Sequence, residues 1–167
     1  MSERRENAGP ASAEALRAEF DVAFGRPARA PADDLVRLLA FRVGGEPVAI
    51  RVLETAGLVA ARRIEPVPSR RAELLGICGV RGQIVPVFSL ARLLGRTEDA
   101  EPRWIVLAAA GAERVGLSAA VFERHLAVPA ADLRPAATGG GADVLHADGE
   151  ARPVLSIPAI VRVILGR

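Results

Sequence analysis

The chain has 167 residues, half of them hydrophobic, and a net charge of only +2; that is enough apolar material for one domain or two small lobes, and it excludes disorder as the main state. All 22 basic residues are arginine, acidic residues lie among them, and tyrosine is absent with a single tryptophan, so the basic stripe and aromatic platforms of a nucleic-acid binder are missing. No apolar run approaches the roughly 18 residues of a bilayer span, and the charged start MSERRENAGP lacks the apolar centre of a secretion signal, so the expected location is the cytoplasm without direct membrane insertion.

Taken in order, residues 1–10 are expected to be disordered. Ser12 reads as an N-cap, and Leu16, Phe20 and Phe24 fall on one face of a helix over about 12–24. Gly25 and Pro27 stop it, and 25–34 reads as a Pro- and Ala-rich linker. From Leu35 the pattern turns to strands. LVRLLAFRV and EPVAIRVL flank Gly44-Gly45, a hairpin signal. Leu53–Val59 reads as a short helical or irregular crossover, and 60–73 as a polar connection. A second hairpin, Leu75–Val80 with Ile84–Phe88, carries Arg81-Gly82-Gln83 at its tip and runs into a short helix, Leu90–Leu94. By strand alternation Ile77, Val80, Ile84, Val85 and Val87 are expected to be mostly core. Thr97–Pro102 reads as a hinge. Trp104 is expected to begin a strand that packs between two lobes, and 136–142, with Gly139-Gly140-Gly141, as a flexible loop.

The second half echoes the first. FRVGGEPVAI at 41–50 returns as LAAAGAERVGL at 107–117, and GQIVPVFSLARLL at 82–94 returns as EARPVLSIPAIVRVI at 150–164, an offset of about 66 residues. Two lobes of about five short strands, each closed by a helix, fit this pattern.

Reactive chemistry is sparse. Cys78 is the single cysteine, which excludes an internal disulfide and sits mid-strand as apolar filler. His125 and His146 show no metal-ligand spacing, so no metal site and no cofactor are expected. Cys78 with either histidine as nucleophile and base is the enzymatic alternative; no orienting partner accompanies them, and Gly139–Gly141 lacks the context of a phosphate loop. No catalytic residue is assigned.

Pro68, Leu74-Leu75-Gly76-Ile77, Val80-Arg81-Gly82-Gln83-Ile84, Pro86-Val87, Leu90 and Leu93-Leu94-Gly95 together resemble the CheW-like domain of chemotaxis coupling proteins and chemotaxis kinases. Arg114-Val115-Gly116-Leu117 matches a further strand of that pattern, and the resemblance covers 35–165. It implies a mostly β fold: two SH3-like five-stranded β-barrel lobes around a shared hydrophobic core, with short helices. Lobe one is expected over 35–95 and lobe two over 103–165, behind an N-terminal extension, 1–34. Met1 and the leader read as those of a complete small protein.

The resemblance further implies a non-catalytic adaptor of a bacterial chemosensory array. Its expected partners are a chemoreceptor cytoplasmic tip and the regulatory domain of a CheA-type histidine kinase, with other CheW-like proteins as further candidates. Expected partner contacts are Val80, Arg81, Gly82 and Gln83 at the tip, and Gly57, Leu58 and Val59 in the crossover. Pro68, Gly76, Pro86, Gly95 and Gly116 are expected to shape the fold. The chain departs from the family pattern where a common glutamate is replaced by Gly57 and an aspartate by the Ser118-Ala119-Ala120 stretch. An accessory protein that binds receptors but no longer couples a kinase is therefore the second reading.

Overall fold

The computed structural model describes residues 34–97, 101–136, 143–147 and 149–166. The expected disordered start, the helix over 12–24, the linker up to residue 33 and the glycine run 139–141 lie outside the described residues. The strands are β1 (Leu35–Val43), β2 (Glu46–Arg51), β3 (Gly57–Ala60), β4 (Leu74–Val80), β5 (Gln83–Ser89), β6 (Trp104–Ala110), β7 (Glu113–Ala119), β8 (Val121–Pro129), β9 (Leu133–Pro135), β10 (Asp143–Ala147) and β11 (Glu150–Leu155). Two α-helices, α1 (Leu90–Leu93) and α2 (Ile157–Leu165), follow β5 and β11.

Both helices start the same way. Ser89 Oγ accepts a hydrogen bond from the Arg92 N–H at 3.1 Å, and Ser156 Oγ accepts one from Ala159 at 3.3 Å, so each strand is cut off by an N-cap. In α2, Ile157, Val161 and Ile164 fall on one face and are buried. Glu54 Oε2 accepts from the Ile157 N–H at 2.8 Å, placing a carboxylate at the positive end of that helix. Arg71 donates to the Val163 and Ile164 carbonyls at the other end, satisfying groups the helix leaves open.

The strands form a six-stranded sheet, β8-β1-β2-β11-β10-β9, and a five-stranded sheet, β3-β6-β7-β5-β4. Within them the sequence echo is a spatial one. Hairpin β1–β2 receives β11 in parallel, Val154 opposite Ala49 and Leu155 opposite Ile50. Hairpin β6–β7 receives β5 in parallel, Val87 opposite Gly116 and Ser89 opposite Ser118. Each hairpin thus takes its parallel partner from the other half of the chain. The sheets do not follow the contiguous division at 35–95 and 103–165: one holds β1, β2 and β8–β11, the other β3–β7. The short β9 makes the first sheet six-stranded where five strands were expected.

Side-chain alternation then sorts the core into three layers. On β1, Leu39, Phe41 and Val43 enter an apolar layer shared by the sheets, while Leu38 points into the first barrel with Ala49, Leu145 and Val154. On β6, Val106 and Ala108 join the shared layer, and Ile105 and Leu107 fill the second barrel with Cys78, Val80, Val85 and Val87. Both helices press on the shared layer through Leu90, Ala91, Ile157, Val161 and Ile164. Trp104, at the start of β6, meets the Phe122 ring of β8 edge-on at 5.5 Å, and Phe122 in turn meets Phe41 at 5.3 Å.

The first barrel also encloses charge. Arg152 on β11 is only 3% exposed. Its guanidinium pairs with Glu150 at 3.0 Å and with Glu123 of β8, and Arg42 of β1 pairs with Glu123 at 2.9 Å and Glu150 at 2.8 Å. Since β1 and β2 lie between β8 and β11 in the sheet, the Arg152–Glu123 pair joins strands that share no backbone ladder. Removing Glu123 would leave the buried Arg152 with Glu150 as its one remaining ion-pair partner among the described residues, which weakens the network.

Two outcomes are expected. Fragments 34–100 and 101–166 should each be unfolded alone by circular dichroism and regain strand signal when mixed; a fragment that folds by itself would contradict the interleaved sheets. The second concerns acid stability. The hydrogen bond from Arg42, followed by the charges of Arg42, Arg152 and Arg124, holds the Glu150 carboxyl below the ordinary glutamate value. A depressed value means the stabilisation is complete above about pH 4.3, the unperturbed glutamate value, and is lost as pH falls through the lowered one. Glu150→Gln should therefore be less stable than the parent at neutral pH and flatter on the acid side, read by urea melts across the acid range.

Candidate functional site

Strands β4 and β5 are closed by the two-residue turn Arg81-Gly82, with φ of 49° and 78°. Such a turn, left-handed at both residues, matches the twist of the strands it joins. Arg81 is the one non-glycine with positive φ among the described residues, and an L-residue there costs roughly 1–2 kcal/mol. The side chain that the fold holds at this cost is exposed and makes no ion pair with any described residue.

The turn fixes the register below it. Val80 pairs with Gln83, Gly79 with Ile84, Cys78 with Val85 and Ile77 with Pro86. A two-residue turn makes Val80–Gln83 a hydrogen-bonded pair, so Ile77 and Gly79 alternate with their backbone groups turned away from β5. Ile77 spends its N–H and C=O on Glu65, at 2.9 and 2.8 Å. Pro86 sits at a position that owes β4 no donor, just before the parallel ladder with β7 begins at Val87.

Gly76 lets the Glu65 segment approach this closely: a Cβ there would lie 2.1 Å from the Glu65 carbonyl oxygen. Gly116 is required by crowding too, since its Cβ would stand 2.7 Å from Ile105 Cγ2 inside the second barrel. Gly95 follows α1, and Pro68 lies exposed in the connection before β4.

Between that segment and β4 the wall opens into a cleft of about 490 Å³, lined by Val59, Ala60 and Arg62 on one side and Cys78–Gly82 on the other. The cleft brings together Val59, Val80, Arg81 and Gly82, four of the residues expected to contact a partner, and adds Arg62. Val80 is 8% exposed and mainly fills the barrel. Gln83 lies across the hairpin in a second depression with Ile84, Val85, Pro86, Ala112 of the β6–β7 turn, and Glu113 and Arg114 at the start of β7. Leu58 packs inward on the shared apolar layer. Gly57 is half-buried with φ of 143°, a conformation that strains any side chain.

Ile84 corrects the sequence reading. It was placed with the core, but it is 76% exposed at the hairpin tip. With Val85 and Val87 turned into the barrel, the alternation itself sends Ile84 outward. Arg62 had no local signal; it reaches the cleft because the Glu65–Ile77 bridge folds its segment against β4.

The reactive residues lie apart from one another. Cys78, 3% exposed, belongs to the five-stranded sheet. His125 stands edge-on to Phe122 at 5.2 Å on β8, and His146 lies beside Asp132 and Arg134 on the far side of the six-stranded sheet. What the tip and the cleft beside it offer is shape, the exposed Ile84 and the guanidiniums of Arg81 and Arg62.

A family model described as the CheW-like domain matches residues 37–164. Among solved structures, the scaffolding protein TtCheW from Thermoanaerobacter tengcongensis is similar to this chain at 15% identity and a TM-score of 0.64, over 72% of this chain and 88% of that one. No curated protein matches the chain in sequence.

Ile84→Asp should change stability by less than about 0.5 kcal/mol, as at other exposed positions. Val85→Asp, one residue further and 1% exposed, should unfold the protein. Thermal melts of the two variants check this; a large loss in the first would return Ile84 to the core.

Proposed function

The chain belongs to the CheW-like domain family, and on that premise we propose that it is a non-catalytic adaptor of a chemosensory array, joining a chemoreceptor's cytoplasmic tip to the regulatory domain of a CheA-type histidine kinase. The observation that carries the reading is the hairpin tip. It presents an Arg81 with no ion-pair partner among the described residues, on a strained backbone beside an exposed Ile84, and strain kept at a site that builds no core is a mark of function. A guanidinium so placed offers a fork of donors to a partner carboxylate or carbonyl. The tip stands on paired barrels with their own cores, so it meets a partner already ordered, and little entropy is lost on docking. The protein acts in the cytoplasm; among the described residues no helix is long and apolar enough to cross a membrane.

The second reading, an accessory protein that binds receptors without controlling a kinase, is favoured by Gly57. A family glutamate position here has no side chain, and its φ of 143° would strain one. Kinase autophosphorylation with receptor present separates the two: an adaptor restores receptor control and an accessory protein does not.

Calorimetry of the full chain with a receptor cytoplasmic fragment and with a kinase regulatory domain tests the proposal. Arg81→Glu should weaken at least one complex by tenfold or more, about 1.4 kcal/mol, with an unchanged melting temperature. Binding to neither fragment by the parent protein would remove the adaptor reading.

A further inference from the structure

The second barrel is closed by backbone at one point beside the tip. The bridge between Glu65 and Ile77 joins the connection after β3 to β4, and from there toward the tip the two edges part around the cleft. The next residue on β4 with its N–H and C=O turned to that edge is Gly79, by the alternation set at the turn. Gly79 is exposed, and nothing lies within 4 Å of where a Cβ would stand. Apart from a weak Cys78 Sγ contact to its carbonyl at 3.8 Å, its edge has no partner among the described residues and can take another backbone.

The charge of the cleft is one-sided. Arg62 and Arg81 both line it, neither has an ion-pair partner among the described residues, and the lining contains no carboxylate. The neighbouring Arg63 is different: it pairs with Glu65 at 2.6 Å. Val59 and Val80, which pack into the barrel core, are the apolar residues of the lining.

We infer that this seam is a docking cleft for an acidic segment of a partner protein, which lies extended along β4, pairs with the Gly79 backbone and sets its carboxylates against Arg62 and Arg81. The inference rests on the adaptor reading and adds to it the chemistry of the partner and a second basic residue, Arg62. Unneutralised guanidiniums on an open strand edge select for Asp or Glu side chains on the incoming strand and against basic ones. Both sets of contacts are made by a short segment, so the cleft recognises a motif rather than a surface.

The test uses the full chain against the receptor fragment and the kinase regulatory domain, measured by calorimetry at two salt concentrations. Arg62→Glu and Gly79→Trp should each weaken by about tenfold the same complex that Arg81→Glu weakens, while Arg70→Glu, exposed outside the cleft, should change it less than twofold. Affinity should fall less steeply with salt in Arg62→Glu than in the parent, and exchanging the partner's acidic residue for lysine should restore binding to Arg62→Glu. All variants should melt with the parent. Binding by Arg62→Glu and Gly79→Trp at parental strength, with Arg81→Glu weakened, would overturn the cleft and leave the adaptor standing; no complex with the parent protein would remove both. Displacement of the partner by single-stranded RNA or inorganic phosphate, lost in Arg62→Glu, would overturn the choice of a carboxylate-bearing protein.

Discussion

The structure depends on the apolar layer between its two sheets. Phe41, Ile50, Val106 and Leu117 meet there, sealed by Leu90 of α1 and by Ile157, Val161 and Ile164 of α2. A fully buried side chain of this size contributes roughly 1.5–3 kcal/mol, and neither half of the chain can form the layer alone. Hairpin β1–β2 finds its parallel strand at β11 and hairpin β6–β7 finds its own at β5. The two halves therefore stabilise each other or not at all. Such long-range pairing forms slowly and cooperatively, since loop closure comes before most of the contacts that reward it.

That cooperativity is what makes the tip a usable site. The β4–β5 hairpin is anchored at its base by Val87 and Phe88 and by the ladder to β7. Its flank is fixed by the close approach of Glu65 to Gly76. Beyond these constraints the last residues, Gly79 to Ile84, project free of the core except for Val80. A rigid base with an unpaired end is the arrangement expected of a binding element on a scaffold. The ionic cluster plays a comparable part in the first barrel. Arg152 is held between Glu123 and Glu150 with its Nε hydrogen unpartnered among the described residues. A buried network of this kind fixes which strands face each other more than it adds net stability.

Much of the local plan was legible in the residues: the Gly44-Gly45 and Arg81-Gly82 turns, the strand runs around them, the short helix after the second hairpin, and the echo between the halves. These follow from backbone chemistry and a period of two or 3.6 that act within a few residues. Alternation cannot put Ile84 and Val85, or Ile77 and Val80, on one face; Val80 and Val85 enter the core, while Ile84 is exposed and Ile77 is half-buried outside the core clusters.

The sequence by itself determined the two glycine turns, the strands around them and the hairpin that carries Arg81, because each is decided by neighbours along the chain; β3, expected as a helical or irregular crossover, is a strand because it pairs with β6. The tertiary structure alone decided which strands exchange between the halves, that Arg152 of β11 pairs with Glu123 of β8, and that Arg62 stands across a cleft from Arg81. These depend on how a curved sheet meets its own far edge, and no local pattern encodes that meeting. It is settled only when every apolar face in the molecule is covered at once.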